Sequence, residues 1–414
     1  MLSSTRGLLA RNPEFHRLFI ATIVSMLGDW FSFVAVADLV IELTGRPGTA
    51  AYFYAASVLP VFLVSPLAGV IVDRYDRRAT LVWANLVRVP LALLLCVAAW
   101  QSSVALAAIA MIGLGVGAAF FDPGTSAATP NLVQTRDLAE AQALMGLVWG
   151  AMLVAGAGLG GVVADLLGKY VAFSLDAASF LISALLVRQI RRPMQERDGP
   201  LSRGHGFAEA WRYLRRDRAV RGLALAKIGV SSANGLVGLL PAFARATSAS
   251  GLATGLLFAA RGLGALVGPL LASRVMRRPP RRPDEAGGAV DPALRALVLV
   301  CGGSTLSYAV FYALMPLTPW FLGMLALVGC AHLGGGTQWT VSTYGLQALT
   351  PDHLRGRILS FDYGLATLAI GLSAIVAGLL ADAYGVRAAV WSLTSLAAIY
   401  GVAWLSMTRA LWRR

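Results

Sequence analysis

Charge is scarce in this chain, and lysine is almost missing. Only 14% of its 414 residues are charged and 57% are hydrophobic, whereas a soluble protein carries about 25% charge. Apolar stretches of the roughly 20 residues needed to cross a bilayer recur from end to end. They leave no room for a soluble domain of useful size, which argues against enzymes built on one. Of the 35 basic residues, all but Lys169 and Lys227 are arginine, which reads as composition bias rather than chemistry. The net charge of +14 would suit nucleic acid, but it sits in short loops between apolar segments, so no nucleic-acid partner is expected. The three cysteines, Cys96, Cys301 and Cys330, all fall inside apolar segments and form neither a disulfide framework nor a metal-ligand spacing. Gly161 to Lys169 lacks the spacing and the Ser/Thr of a phosphate-binding loop, and no His-Glu-x-x-His is present. No enzymatic activity, catalytic residue, cofactor or metal is expected, and any energy must come from an ion gradient or from the substrate's own.

Helices are expected at about 17–42, 49–72, 79–100, 103–128, 139–164, 169–189, 219–243, 251–276, 293–315, 319–346, 354–380 and 384–408. The first run follows Arg6, Arg11 and Arg17, is too long for a signal-peptide core, and is read as a retained membrane span. One side of the membrane collects the N-terminus, Arg74, Arg77, Arg78, Arg136, the stretch Arg191 to Arg218, Arg274 to Arg295, Arg355, Arg357, Arg409, Arg413 and Arg414; the other holds Arg46, Lys169, Arg245 and Arg387. The arginine-rich side is the cytoplasmic one, so a multi-pass protein of a bacterial inner membrane with both termini inside is expected.

The chain also repeats itself. Asp73-Arg-Tyr-Asp-Arg-Arg78 returns as Ser273-Arg-Val-Met-Arg-Arg278, and Gly161-Val-Val-Ala-Asp165 returns as Gly378-Leu-Leu-Ala-Asp382. The expected architecture is an all-α membrane protein of twelve transmembrane helices in two pseudo-symmetric six-helix bundles: residues 1–190, a cytoplasmic linker at 191–218, and residues 219–414. Such halves place a substrate site between them near the midplane. In the linker, Phe207, Ala210, Trp211 and Leu214 alternate with Arg212, Arg215 and Arg216. That stripe predicts a helix lying on the inner leaflet or packed on the bundle.

The loop Gly69-Val-Ile-Val-Asp73-Arg74-Tyr-Asp76-Arg77-Arg78 resembles the signature loop of the major facilitator superfamily. Gly28-Asp29-Trp30, Glu42-Leu-Thr-Gly45, Thr129-Pro-Asn-Leu-Val133 and Ala260-Arg261-Gly262-Leu-Gly264 are similar to the bacterial exporter branch that includes the enterobactin exporter and macrolide-efflux proteins. The resemblance covers nearly the whole chain. It implies that Gly69, Asp73, Arg74, Asp76, Arg77 and Arg78 latch the halves in one state of an alternating-access cycle. It also implies that the first, fourth, seventh and tenth helices line the cavity. Physically, Gly69 would let two helices approach closely. Gly156-Ala157-Gly158-Leu159-Gly160-Gly161 resembles the glycine-rich antiporter motif, with Ala157 where that motif has proline.

Ionisable residues at membrane depth are costly and so are functional candidates. The candidates for proton coupling are Asp29, Asp38, Asp122 and His332. Asp29 reads either as the coupling carboxylate or as one half of a structural ion pair with Arg88. Asp38, about 180° around the helix from Asp29, reads as a pocket or outer-rim residue, Asp122 as wetted from the cytoplasm or as a cap, and His332 as a titrating group or a packing residue. Lys227 is expected to snorkel inward. Arg261 is expected to pair with an acid, or else to hold an anionic substrate group. Asp176 and Asp362 read as scaffold. Trp30, Phe31, Asn234, Arg261, Trp339 and Tyr344 are the candidate cavity residues.

The expected function is a secondary transporter that exports a small lipophilic or amphiphilic molecule by proton antiport. Its partners would be that substrate, protons and membrane lipid, and it would act as a monomer. The rivals are a lysophospholipid flippase or importer of the same fold, and a transport-inactive sensor or assembly partner.

Overall fold

The computed structural model describes residues 2–134, 137–195, 206–247, 251–273, 275–277, 280–281 and 290–413. Arg136, Arg274 and most of the loop from Pro279 to Gly288 lie outside them, as do the side chains of Asp73 and Phe207. In lipid every backbone polar group must be satisfied within its own segment, and the chain answers with helices throughout. A short α1 (Leu2–Arg11) leads into α2 (Pro13–Thr44), α3 (Gly48–Arg74), α4 (Arg77–Trp100) and α5 (Val104–Leu132). Next come α6 (Leu138–Ala151), α7 (Ala157–Leu166), α8 (Lys169–Arg188) and the linker helix α9 (Gly206–Arg216). The remainder is α10 (Arg218–Ser231), α11 (Leu240–Thr247), α12 (Gly251–Ala272), α13 (Pro292–Leu314), α14 (Phe321–Leu349), α15 (Asp352–Tyr384) and α16 (Val386–Met407).

All twelve expected segments are helical. Among the described residues nine helices are long and apolar enough to cross a membrane, and α3, bent by 56° between Gly48–Val64 and Pro66–Val72, makes a tenth. The other two are an interrupted helix from Leu138 to Leu166 and α14, which is diluted by buried polar residues such as His332, Thr337 and Gln338. With 32 residues, α2 is about 48 Å long and overreaches the roughly 30 Å hydrocarbon layer.

Two breaks depart from the continuous helices expected. A π turn at Met152–Gly156 separates α6 from α7. Ser232 to Leu239, including a 3₁₀ segment at Asn234–Leu239, separates α10 from α11. At the second break Ser373 of α15 makes the repair: its Oγ accepts from the Gly235 N–H at 3.0 Å and donates to the Ser232 carbonyl at 2.7 Å. The Asn234-Gly235 pair was the turn signal.

The chain forms two compact units, Met1–Pro200 with Leu240–Ala259, and Leu201–Leu239 with Ala260–Arg414. Lipid offers helices no hydrophobic reason to associate, so packing and polar contacts must hold them. In the first unit one apolar cluster gathers Phe15, Leu18, Leu81, Phe121 and Val187, and another gathers Val36, Phe53, Leu95, Leu114 and Phe173. Along α2 and α4 the gap between the clusters is occupied by Asp29 and Arg88. In the second unit Leu223, Leu294, Leu297, Val341 and Ile358 form the core. Helix α9 buries Ala210 and Leu214 in that core and sets Trp211 edge-on to Phe361 at 5.9 Å, which is the packed arrangement of the two expected for it. Its C-terminal Asp217 caps α10, accepting from the N–H groups of Ala219 and Val220.

Candidate functional site

In the first unit a polar cluster forms where α2, α4 and α8 meet. Arg88 is 1% exposed, with its guanidinium 3.9 Å from the Phe180 ring centre. It donates to Asp29 Oδ1 at 2.5 Å and to Ser25 Oγ at 3.2 Å. The Asp29 carboxylate is 39% exposed, so water can reach the pair from one side. Asp122, exposed on α5, lies within electrostatic reach of both Arg88 and Asp29. Asp176 on α8, expected to be scaffold, joins the same group. It is fully buried, and neither carboxyl oxygen has a donor in bonding geometry; the Ser32 and Ser179 hydroxyls are its nearest polar neighbours. A methyl group on Gly28 would run into Ser179 and would sit 2.6 Å from Asp176 Oδ1, so the glycine admits α8 to the face of α2 that carries Asp29. One fixed positive charge thus faces three aspartates.

Asp38 lies away from this cluster, as its helical phase required. Its Oδ1 stands 3.6 Å from Arg245 Nε and accepts from Thr254 Oγ1 at 3.3 Å, while Arg245 also donates to its backbone carbonyl at 2.8 Å. The glycines of α7 lie beside this pair. Gly160 backs onto the Trp30 carbonyl, 2.7 Å from where a methyl group would be, and Gly161 onto Gly255 Cα at 2.9 Å. Trp30 packs against Phe33 and Phe258. Replacing Gly161 with valine is expected to push α7 off α12, because backbone atoms cannot yield as a flexible side chain would. A loss of about 1–3 kcal/mol should appear as a lowered unfolding midpoint in detergent, whereas the same change at Gly146, where a methyl group meets nothing within 4 Å, should leave it unmoved.

The second unit holds another buried pair, and it corrects the expectation that Lys227 snorkels. Lys227 is 2% exposed and Asp362 1%. The ammonium donates to Asp362 Oδ2 and to Thr343 Oγ1, the latter at 2.9 Å, and lies 5.1 Å from the Trp339 ring centre. Trp339 meets Tyr363 edge-on. At nine residues into its span the lysine chain was long enough to reach water, but an acid on α15 was nearer. His332 is buried, shares a hydrogen bond with the Tyr312 hydroxyl at 2.9 Å, and is flanked edge-on by Tyr308. Its neighbour in charge is Arg261, and here a second expectation fails: no acid pairs with Arg261 among the described residues.

The remaining candidates scatter. Phe31 packs into an apolar cluster of the first unit and Tyr344 into that of the second. Asn234 sits buried in the 3₁₀ break. In the signature loop Asp76 caps α4 through the Ala79 N–H at 2.7 Å. Arg77 donates to the carbonyls of Ala127 and Met194, and Arg78 to that of Ile190. These bonds tie α4 to α5 and to the segment that follows α8, within the first unit. Arg74 is exposed. Among the described residues a methyl group on Gly69 would meet nothing within 4 Å, so they show no close approach of the kind expected there.

Two arrangements therefore recur at membrane depth. Each unit carries a buried basic residue bonded to an aspartate on another helix, and no nucleophile–base pair or metal-binding cluster accompanies either among the described residues. Buried charge of this kind belongs to molecules that move solutes or ions, and the comparisons agree. The chain is 30% identical over 360 residues to the enterobactin exporter EntS of Citrobacter koseri, covering 85% of this chain and 81% of that one. It is 25% identical over 396 residues to the multidrug efflux pump Tap of Mycobacterium bovis, covering 91% and 89%. Among solved structures it superposes on the nucleoside transporter NupG with a TM-score of 0.73 at 10% identity, over 95% and 99% of the two chains. A bacterial homologue of the lysosomal transporter Spinster gives 0.73 at 14%, over 96% and 97%. These likenesses establish the major facilitator fold. The family model described as transmembrane secretion effector matches residues 8–411, and the chain belongs to that family of major facilitator transporters.

Proposed function

We propose that this transporter exports a small lipophilic or amphiphilic molecule in exchange for protons, with both termini on the cytoplasmic side. The observation that carries the reading is the group of Asp29, Asp122 and Asp176 around the single guanidinium of Arg88. Three carboxylate ions against one arginine would leave two uncompensated negative charges at membrane depth, at a cost of several kcal/mol. Each proton taken up removes one of them. Arg88 cannot release its own proton, so the acids must do the exchanging. Asp29 and Asp122 are the members that water reaches; Asp176 is sealed and would hold a proton received through its neighbours. Similarity to an enterobactin exporter and to a multidrug efflux pump supports outward transport.

Efflux from cells expressing the protein tests this. Cells are loaded with lipophilic dyes, macrolides or siderophores and followed with and without a protonophore. Faster loss of at least one compound, halted by the protonophore, is expected. Efflux that continues unchanged once the proton gradient is gone would rule out proton coupling, and no efflux of any class would turn attention to lipid flipping.

A further inference from the structure

Arg261 is a charged residue in the middle of a membrane span for which the described residues supply no counterion. No carboxylate lies within 4.0 Å of it and no acceptor meets its guanidinium among the described residues; its Nε is buried without a partner. An arginine at such depth costs at least about 2.5–3.5 kcal/mol. The chain's other deep cations, Arg88 and Lys227, have that cost offset by an aspartate. Arg261 does not escape to lipid either. At about 100° per residue it lies on the face of α12 opposite Leu256, Leu263 and Leu270, which are 37%, 54% and 67% exposed. On its own side stand Gly264 and Gly268, which bring α12 against the backbone of α14 at Gly329 and Leu333. That crossing holds the arginine near His332, whose ring is turned edge-on to Tyr308 and bonded to Tyr312. The residue is only partly buried, so a ligand can reach it.

We propose that Arg261 is the binding site for an anionic group, such as a carboxylate or sulfonate, of the lipophilic molecule that is transported. The inference rests on the export reading for the word "transported". A planar guanidinium with free N–H groups takes such an oxyanion in a two-point hydrogen bond. The missing counterion is then supplied by the substrate, which makes an empty site costly and a loaded one neutral.

The test uses three probes with one body: pyrene bearing a butyrate, a butanol or a butyltrimethylammonium chain. Equilibrium binding is measured on the full-length protein in phosphatidylcholine nanodiscs, with empty discs subtracted. Wild type is expected to bind the butyrate at least about tenfold more tightly than the butanol, the low end of a charge-assisted hydrogen bond. R261Q should lose that preference while keeping its butanol affinity, and R261K should retain part of it. Equal binding of all three probes by wild type overturns the proposal whether or not the variants fold, and so does a folded R261Q that still prefers butyrate. Loss of the preference when phosphatidylglycerol is added to the discs assigns the site to a lipid headgroup and overturns the substrate assignment. Binding needs no gradient, so failed efflux in cells would remove the export reading and leave this result standing. Proton-driven efflux indifferent to headgroup charge would do the reverse.

Discussion

Asp29→Asn is expected to stop export and to lower stability by about 3–5 kcal/mol, more than Arg88→Gln does. The two partners are unequal because one can discard its charge and the other cannot. Without Asp29, Arg88 remains a buried cation, 1% exposed, that cannot deprotonate. Its remaining bonded partner is the Ser25 hydroxyl, and Asp176 could balance it only by ionising without donors. Without Arg88, the three aspartates can each take up a proton, so that variant loses mainly hydrogen bonds and the contact with Phe180, about 1–3 kcal/mol. The double variant Asp29→Asn with Arg88→Gln should therefore be more stable than Asp29→Asn alone, a coupling that thermal unfolding of the purified protein measures as a cycle. Efflux separates fold from function: the double variant should regain the fold and stay inactive. An Asp29→Asn protein that unfolds like wild type and still exports would show that the pair serves neither purpose.

The second large effect is expected at Lys227 and Asp362. Both are almost completely buried; the lysine bonds Asp362 Oδ2, and Oδ1 has no hydrogen-bond partner among the described residues. Lys227→Met or Asp362→Asn breaks a pair whose desolvation has already been met, at about 3–5 kcal/mol. Replacing both, Lys227→Met with Asp362→Leu, fills the same space with apolar groups and should restore most of the unfolding midpoint. Lys227→Arg is the informative conservative change. The guanidinium is wider than the ammonium, stays charged at any accessible pH, and must fit between Thr343 and the Trp339 ring. It should behave like a broken pair. If Lys227→Arg is as stable as wild type, the site is roomier than the burial of its two members implies, and the argument from close fit fails.

How the sequence and the structure divide the work can be followed residue by residue. Twelve helical segments were legible because lipid imposes one rule on every residue of a span: be apolar and close the hydrogen bonds locally. That rule acts within about 20 neighbouring residues, so it is written in consecutive letters. The breaks were harder. Asn234-Gly235 signals a turn, yet Ser373, 138 residues further on, repairs it. The π turn before Ala157 leaves only a glycine-rich run as its trace. Arg88 and Asp29 could be matched from depth alone, since each falls midway along its span. Asp176 could not be added to them, because its place depends on Gly28 admitting α8 to one face of α2.

The sequence by itself determined the solvent, the helices, the repeat and the family, because composition and short motifs carry them. It also named the charges inside the spans, since any ionisable letter inside an apolar run stands out. Only the tertiary structure decided which charges meet. Lys227 had the reach to snorkel and instead bonds Asp362; Arg261 had acids elsewhere in the chain and has none beside it among the described residues. Pairing at membrane depth depends on which helix faces which, on a few ångströms of distance and on rotation about each helix axis. A linear pattern fixes that rotation relative to the helix's own neighbours in sequence, and leaves open which other helix it will meet.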